Sequence, residues 1–207
     1  MKRRIYLVRH GQTEANAADV VQTPDDPLTE KGIAQAETLA ARFQTIPFDT
    51  LVSSDLPRAV DTALIIAQRL NYDLLQTPLL REMSYATALF GKARSGAEIA
   101  DYYRLKLEHI DDADWRWGDE ESFTKAHARV KEALRYLESL PGTIVAVAHG
   151  HFIRFLVTHV LLGADMRPRE AHRAMYSLLT NNTAITALEE RDGRWRLLTW
   201  NDHAHLG

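Results

Sequence analysis

The 207-residue chain has no cysteine. That excludes disulfides, thiol nucleophiles and thiolate-held metals, and says little about compartment. Long apolar runs are missing too. The run at residues 5–8 follows a basic start (Lys2, Arg3, Arg4) but is only four residues long. It is too short for a secretory signal or a membrane span, so a cytoplasmic protein with no membrane partner is expected. Positive charge is not in excess either: 25 Lys and Arg against 28 Asp and Glu leave a net charge of −3. Without a basic stripe, the four tryptophans and the aromatic residues of 102–117 do not make a nucleic-acid surface. An anionic ligand would have to be met by local charge. Internal repeats and low-complexity segments are also absent.

What is present is an alternation of strand and helix signals. Residues 5–8, "IYLV", read as a buried strand. Over 29–44, Ala36, Leu39, Ala40 and Phe43 share one helical stripe, with Thr29 placed to cap it. Residues 50–54 form a short strand. Residues 55–70 form a helix with Pro57 in the first turn, where a missing N–H costs nothing. A brief strand at 74–77 and a helix over 96–109 follow. In the next helix, 121–140, Phe123, Ala126, Val130, Ala133 and Leu137 share a face, and Pro141–Gly142 ends it. "TIVAVA", 143–148, is a strand apolar on both faces, and a helix over 151–162 succeeds it. The last segments read as strands: "SLLT" (177–180), "TAITALEE" (183–190) and "RWRLLTW" (194–200), the last two joined by an Asp192–Gly193 turn. This order predicts a three-layer α/β/α sandwich with a mostly parallel central sheet and an antiparallel edge. One domain over 1–207 is expected, with 83–120 as an insertion forming a lid over the active site.

Two strands end alike. The first runs into Arg9–His10–Gly11, the later one into His149–Gly150–His151. Ligands of open α/β sheets bind at the carboxyl ends of strands, so His10 and His149 would meet at one site if the strands are neighbours. Arg58 sits in the first turn of a helix, where a cation opposes the helix dipole unless an anion compensates. Glu82, next to Arg81, reads on its own as one half of an ordinary salt bridge. "HGH" at 149–151, with His203 and His205 near the end, lacks recognised metal-ligand spacing, so no metal is expected.

Five motifs in order carry a resemblance. "LVRHGQTEAN", "PLTEKGIAQAETLA", "SSDLPRAVDTA", "LLREMSY" and "AHGHFIRFL" are together similar to the histidine phosphatase superfamily, also called phosphoglycerate mutase-like. The resemblance implies a metal-independent phosphomonoesterase that needs no cofactor and acts on a small phosphorylated metabolite. His10 would be the nucleophile, forming a phosphohistidine. Arg9, Arg58 and His149 would bind phosphoryl oxygens, with Asn16 as a neutral donor and N–H groups near Gly150 assisting at a helix start. Glu82 would protonate the leaving oxygen and then deprotonate the attacking water.

After its acid the family commonly has a glycine and then a tryptophan–glutamate–glycine run. Here the stretch is "SYATALFGK", with Ala86 at the usual glycine and no tryptophan. The region 83–120 instead supplies Tyr85, Lys92, Arg94, Tyr102, Tyr103 and Arg104. A phosphomutase and a non-catalytic phosphate-binding module stay open as alternatives, and a homodimer as a candidate assembly.

Overall fold

The computed structural model describes residues 3–207. Six strands form one sheet: β1 (Arg4–Arg9), β2 (Thr50–Ser54), β3 (Leu74–Thr77), β4 (Ile144–Ala148), β5 (Ile185–Arg191) and β6 (Arg194–Asp202). Their spatial order is β3-β2-β4-β1-β5-β6. The first four run parallel, while β5 is antiparallel to both of its neighbours, β1 and β6. Among the described residues, seven α-helices accompany them: α1 (Glu14–Ala17), α2 (Glu30–Phe43), α3 (Pro57–Leu70), α4 (Ala97–Glu108), α5 (Phe123–Ser139), α6 (Gly150–Leu162) and α7 (Pro168–Tyr176). None of them is long and apolar enough to cross a membrane.

The strand period of two sorts the core into two layers. Ile5 and Leu7 of β1, with Ile144, Ala146 and Ala148 of β4, pack under α5, α6 and α7. Val8, Val145 and Val147, from the same strands, pack against α2 and α3 on the other face. The sandwich expected from the strand–helix alternation is thus the observed one. A small separate cluster joins Val21, Leu89, Ile99 and Tyr102. It seats residues 83–120 against the loop after α1, where Val21 N–H donates to Lys92 O (2.9 Å) and Gly91 N–H to Val21 O (2.8 Å).

One expectation fails, and one helix is not foreseen. "SLLT" is not a strand. Leu179 is 75% exposed, and the carbonyls of Leu178 and Thr180 accept from the guanidinium groups of Arg154 and Arg9 rather than from a sheet neighbour. The helix α7 is not foreseen because it is only nine residues long and polar on average; its apolar face is Ala171, Ala174 and Met175, of which Ala171 and Met175 are buried, behind Pro168 at the first position. The departure at Ala86 has a simple account. Its φ of −60° suits any L-residue, so no glycine is needed, and its methyl lies where Gly118 leaves room.

Close packing of two glycines fixes the loop after β1. A Cβ on Gly11 would meet Gly32 O at 2.5 Å, and one on Gly32 would meet Gln12 O at 2.1 Å. The start of α2 is also tied there, Thr29 N–H donating to Gln12 O at 2.9 Å. Gly32→Ala is therefore expected to destabilise the fold by about 1–3 kcal/mol, the usual cost of overpacking. Urea unfolding should show a lowered midpoint. An unchanged midpoint would mean that the contact relaxes freely.

Candidate active site

The register of β1 on β4 pairs Arg9 with Ala148, so the residues that follow each strand emerge side by side. His10 N–H donates to Ala148 O at 3.0 Å, and the rings of His10 and His149 lie 5.2 Å apart. Both residues are fully buried. The Nδ1–H of His10 donates to Gly11 O at 2.7 Å. A carbonyl only accepts, so a neutral His10 carries its proton on Nδ1 and a lone pair on Nε2. His149 Nε2 is paired with Ser54 Oγ at 2.9 Å, Ser54 itself accepting from Leu56 N–H.

Arg58 enters from the second position of α3. Its Nη1 donates to Thr23 O and Pro24 O, each at 3.0 Å, and the side chain is almost wholly buried. Thr62, one turn later, ties that helix to the His10 loop: its hydroxyl donates to Arg58 O and accepts from Gly11 N–H (3.0 Å). Arg9 is anchored at one end by Thr180 O (2.5 Å).

Among the described residues, six buried side-chain atoms have no hydrogen-bond partner within the protein. Four of them belong here: Arg9 Nε, His10 Nε2, Arg58 Nε and His149 Nδ1. Orphaned buried polar atoms are rare, and four in one site mark a place shaped for a polar ligand. Two guanidinium groups among them suit the place to an anion.

Burial sets the protonation states. It pulls Arg9 down to about 10, with Glu82 opposing and Arg154, Arg94 and Arg58 adding to the effect, so Arg9 stays charged at neutral pH. Burial, then His149, Arg58 and Arg9, hold His10 well below its ordinary 6.5. Burial also takes His149 down to about 3. Both imidazoles are therefore neutral.

Glu82 follows the short turn Pro78–Leu80 and does not pair with Arg81, whose guanidinium is bidentate on Asp55 (2.6 and 2.7 Å). Its carboxylate lies instead at the start of α6. Oε1 accepts from Phe152 N–H (2.8 Å) and Met83 N–H (2.9 Å), and Oε2 from His151 N–H (3.2 Å). Burial disfavours its charge, yet the His151 imidazole and these N–H donors hold it well below the usual carboxylate range. The N–H groups of His151 and Phe152, expected to serve an anion near Gly150, are thus taken by Glu82. Gly150 itself lies against Arg9 and Thr180: a Cβ there would come within 3.4 Å of Arg9 Nε.

Asn16 is tied in place through its oxygen, and these bonds do not use its Nδ2, the donor expected to meet an anion. Its side-chain oxygen accepts from Asn182 Nδ2 (3.0 Å), which also donates to His10 O (3.0 Å). Three supporting residues escaped sequence reasoning. Asn182 holds the His10 backbone. His151 sits against Glu82, its Nδ1 3.7 Å from Oε2. Arg129 of α5 clamps the chain that carries Glu82, donating to Leu79 O and Arg81 O, and is itself held by Glu121 at 2.7 Å. Only His151 left a signal, the second histidine of "HGH".

Comparison with known proteins finds relatives in sequence and in fold. A probable phosphoglycerate mutase GpmB of Enterobacter sp. (strain 638) is 32% identical over 98% of this chain and 94% of its own length. A mutant phosphoserine phosphatase from Entamoeba histolytica, solved in complex with phosphoserine, superposes with a TM-score of 0.81 at 27% identity, covering 99% of this chain and 100% of that one. A mycobacterial glucosyl-3-phosphoglycerate phosphatase, solved with VO3, gives 0.79 at 29% identity, over 97% of this chain and 99% of that one. The profile of the histidine phosphatase superfamily (branch 1) matches residues 5–203, and the chain belongs to that superfamily.

Proposed function

We propose that the chain is a metal-independent phosphomonoesterase acting on a small phosphorylated compound through a phosphohistidine on His10. The observation that carries this reading is the set of four partnerless buried atoms on Arg9, His10, Arg58 and His149. Three belong to groups that can donate to phosphoryl oxygens, and the fourth is a lone pair fixed by Gly11 O.

In the first step His10 Nε2 attacks phosphorus and the bond to the leaving oxygen breaks. Arg9, Arg58 and the Nδ1–H of His149, with Ser54 donating to Nε2, bind the phosphoryl oxygens and neutralise their charge. Glu82, once protonated, gives its proton to the leaving oxygen. In the second step water attacks phosphorus, Glu82 takes its proton, and the phosphorus–Nε2 bond breaks to return neutral His10 and free phosphate. Residues 83–120 serve as a cover whose side chains choose the leaving group. The resemblance to a probable phosphoglycerate mutase favours one other reading, in which His10 passes the phosphoryl group back to a second substrate hydroxyl. Isomerisation outpacing phosphate release would establish it.

The decisive experiment is trapping. Brief reaction with a 32P-labelled phosphoester should give a phosphoenzyme that is acid-labile and base-stable, mapped to His10 and absent in His10→Ala. An actively hydrolysing preparation that never labels would sink the proposal.

Glu82→Gln tests the proton. Loss on alkyl phosphates should be about 10²- to 10⁴-fold, and much smaller on p-nitrophenyl phosphate, whose leaving group needs little help. Equal losses on both would assign Glu82 to orienting water instead.

The pH profile follows from the two lowered groups. With His10 neutral and Glu82 ionised in the free protein, the leaving group's proton must arrive on the substrate as its monoanion, whose second pKa is about 6. For an alkyl phosphate, kcat/KM should fall as pH rises through about 6, and should hold on the acid side until His10 protonates, well below 6.5. A rate that stays level to pH 8 would show that the proton has another source.

A further inference from the structure

Two cavities meet at the segment that follows Glu82. One, about 220 Å³, is bordered by Arg58, Glu82 and Arg94. The other, about 120 Å³, runs from Met83 and Tyr85 into a space among α4, α5, α6 and α7, walled by Ala126, Phe155, Ala171 and Met175. Met83, Ser84, Tyr85 and His151 line both.

The inner cavity has the wrong chemistry for a charged or sugar-like group. Its buried Glu120 already accepts from Tyr102 Oη (2.6 Å) and Trp117 N–H (3.1 Å), with Lys106 Nζ at 3.5 Å. Glu121 is held by Arg129. Of the remaining wall, Ser84, His109, Asp112, His151 and His172 are polar, and the larger part is aromatic and aliphatic. An engineered apolar cavity of about 150 Å³ holds a benzene ring, so a ring of that size fits the scale of this one.

Tyr85 is the divider. Its ring meets His151 edge-on at 5.7 Å, and its hydroxyl makes one firm bond, to Tyr103 (2.8 Å). The contacts to Arg94 (3.4 Å) and His151 Nε2 (3.5 Å) are long. Turning Tyr85 aside gives up one firm hydrogen bond, the ring contacts with His151 and Tyr102 (5.7 and 5.8 Å) and the Arg94 cation over the ring (5.7 Å), a cost that an aromatic body entering in its place would offset. Position completes the case: the carboxylate proposed to protonate the leaving oxygen is bonded to Met83 N–H and His151 N–H, which belong to two residues lining both cavities.

We infer that the inner cavity is a leaving-group subsite and that it takes an aryl or similarly apolar body of the phosphomonoester. This rests on the phosphatase reading, because Glu82 marks where the leaving group departs. A substrate with an apolar body reaching past Tyr85 would be selected over a short polar one.

Non-hydrolysable phosphonates test the subsite without turnover. By calorimetry, benzylphosphonate should bind the wild-type protein about 10- to 100-fold more tightly than methylphosphonate, as expected for burying an aromatic ring. Ala171→Phe, which fills the cavity from α7, should bring that ratio close to one. Ala126→Leu, from α5, should lower it in the same direction and serves if the first variant does not fold. Equal affinities in the wild type, or a ratio that survives a folded filling variant, would overturn the inference. Absence of turnover on every phosphoester would count against the phosphatase reading, and the phosphonate ratio would still judge the cavity.

Discussion

Parallel pairing of β1 with β4, with Arg9 opposite Ala148, is the constraint on which the site depends. Both strands are buried on both faces, so neither can slip by one residue without exchanging its two apolar sets between layers. That rigidity is transmitted directly to the two histidines, each the first residue past its strand. Flexible loops could not hold two imidazoles 5.2 Å apart in a dry site; two strands locked in register can. The glycines after them serve the same end, since Gly11 admits α2 and Gly150 admits the Arg9 side chain.

The same burial that fixes geometry fixes charge. Two guanidinium groups are desolvated at the carboxyl edge of the sheet, where Arg9 and Arg58 are held by main-chain oxygens. Carbonyl oxygens satisfy donors without cancelling charge. The site therefore keeps a net positive field that a carboxylate partner would have quenched. Burial first, and this field after it, keeps the histidines neutral: a further positive charge beside these arginines would be strongly disfavoured. A cationic cluster and a neutral, lone-pair-bearing imidazole are thus two results of one desolvated environment.

The parts of this arrangement differ in how far the sequence exposed them. Strand order could not be read from sequence, but the repeated pattern of apolar strand, histidine and glycine pointed to both histidines. Arg58 showed itself as a cation at the wrong end of a helix. Glu82 had no such mark: its importance lies in reaching the start of α6, 68 or more residues later in the chain, and only a family resemblance singled it out. Arg129 and Asn182 act through main-chain oxygens of distant segments, contacts that leave no local pattern. The helix α7 was hidden because it is short and polar on average, with two buried residues to seat it. "SLLT" misled because its residues resemble a strand, while guanidinium groups, not a neighbouring strand, take its carbonyls.

The start of α6 is where site and acid are coupled. A helix N-terminus beside an anion site would ordinarily serve the anion. Here its second and third N–H groups hold the Glu82 carboxylate instead. The His151 imidazole and the helix dipole then act together on Glu82, keeping it ionised and fixed in direction, and Arg9 Nε and Arg58 Nε stay unengaged. A carboxylate so stabilised is a poor proton donor until a second negative charge arrives. In the proposed reaction a bound phosphate would supply that charge and raise the affinity of Glu82 for a proton, favouring the acid form when there is something to protonate. In its second step the same N–H donors would favour the carboxylate form that deprotonates water. One helix end would thereby support both halves of the proposed reaction from a single fixed position.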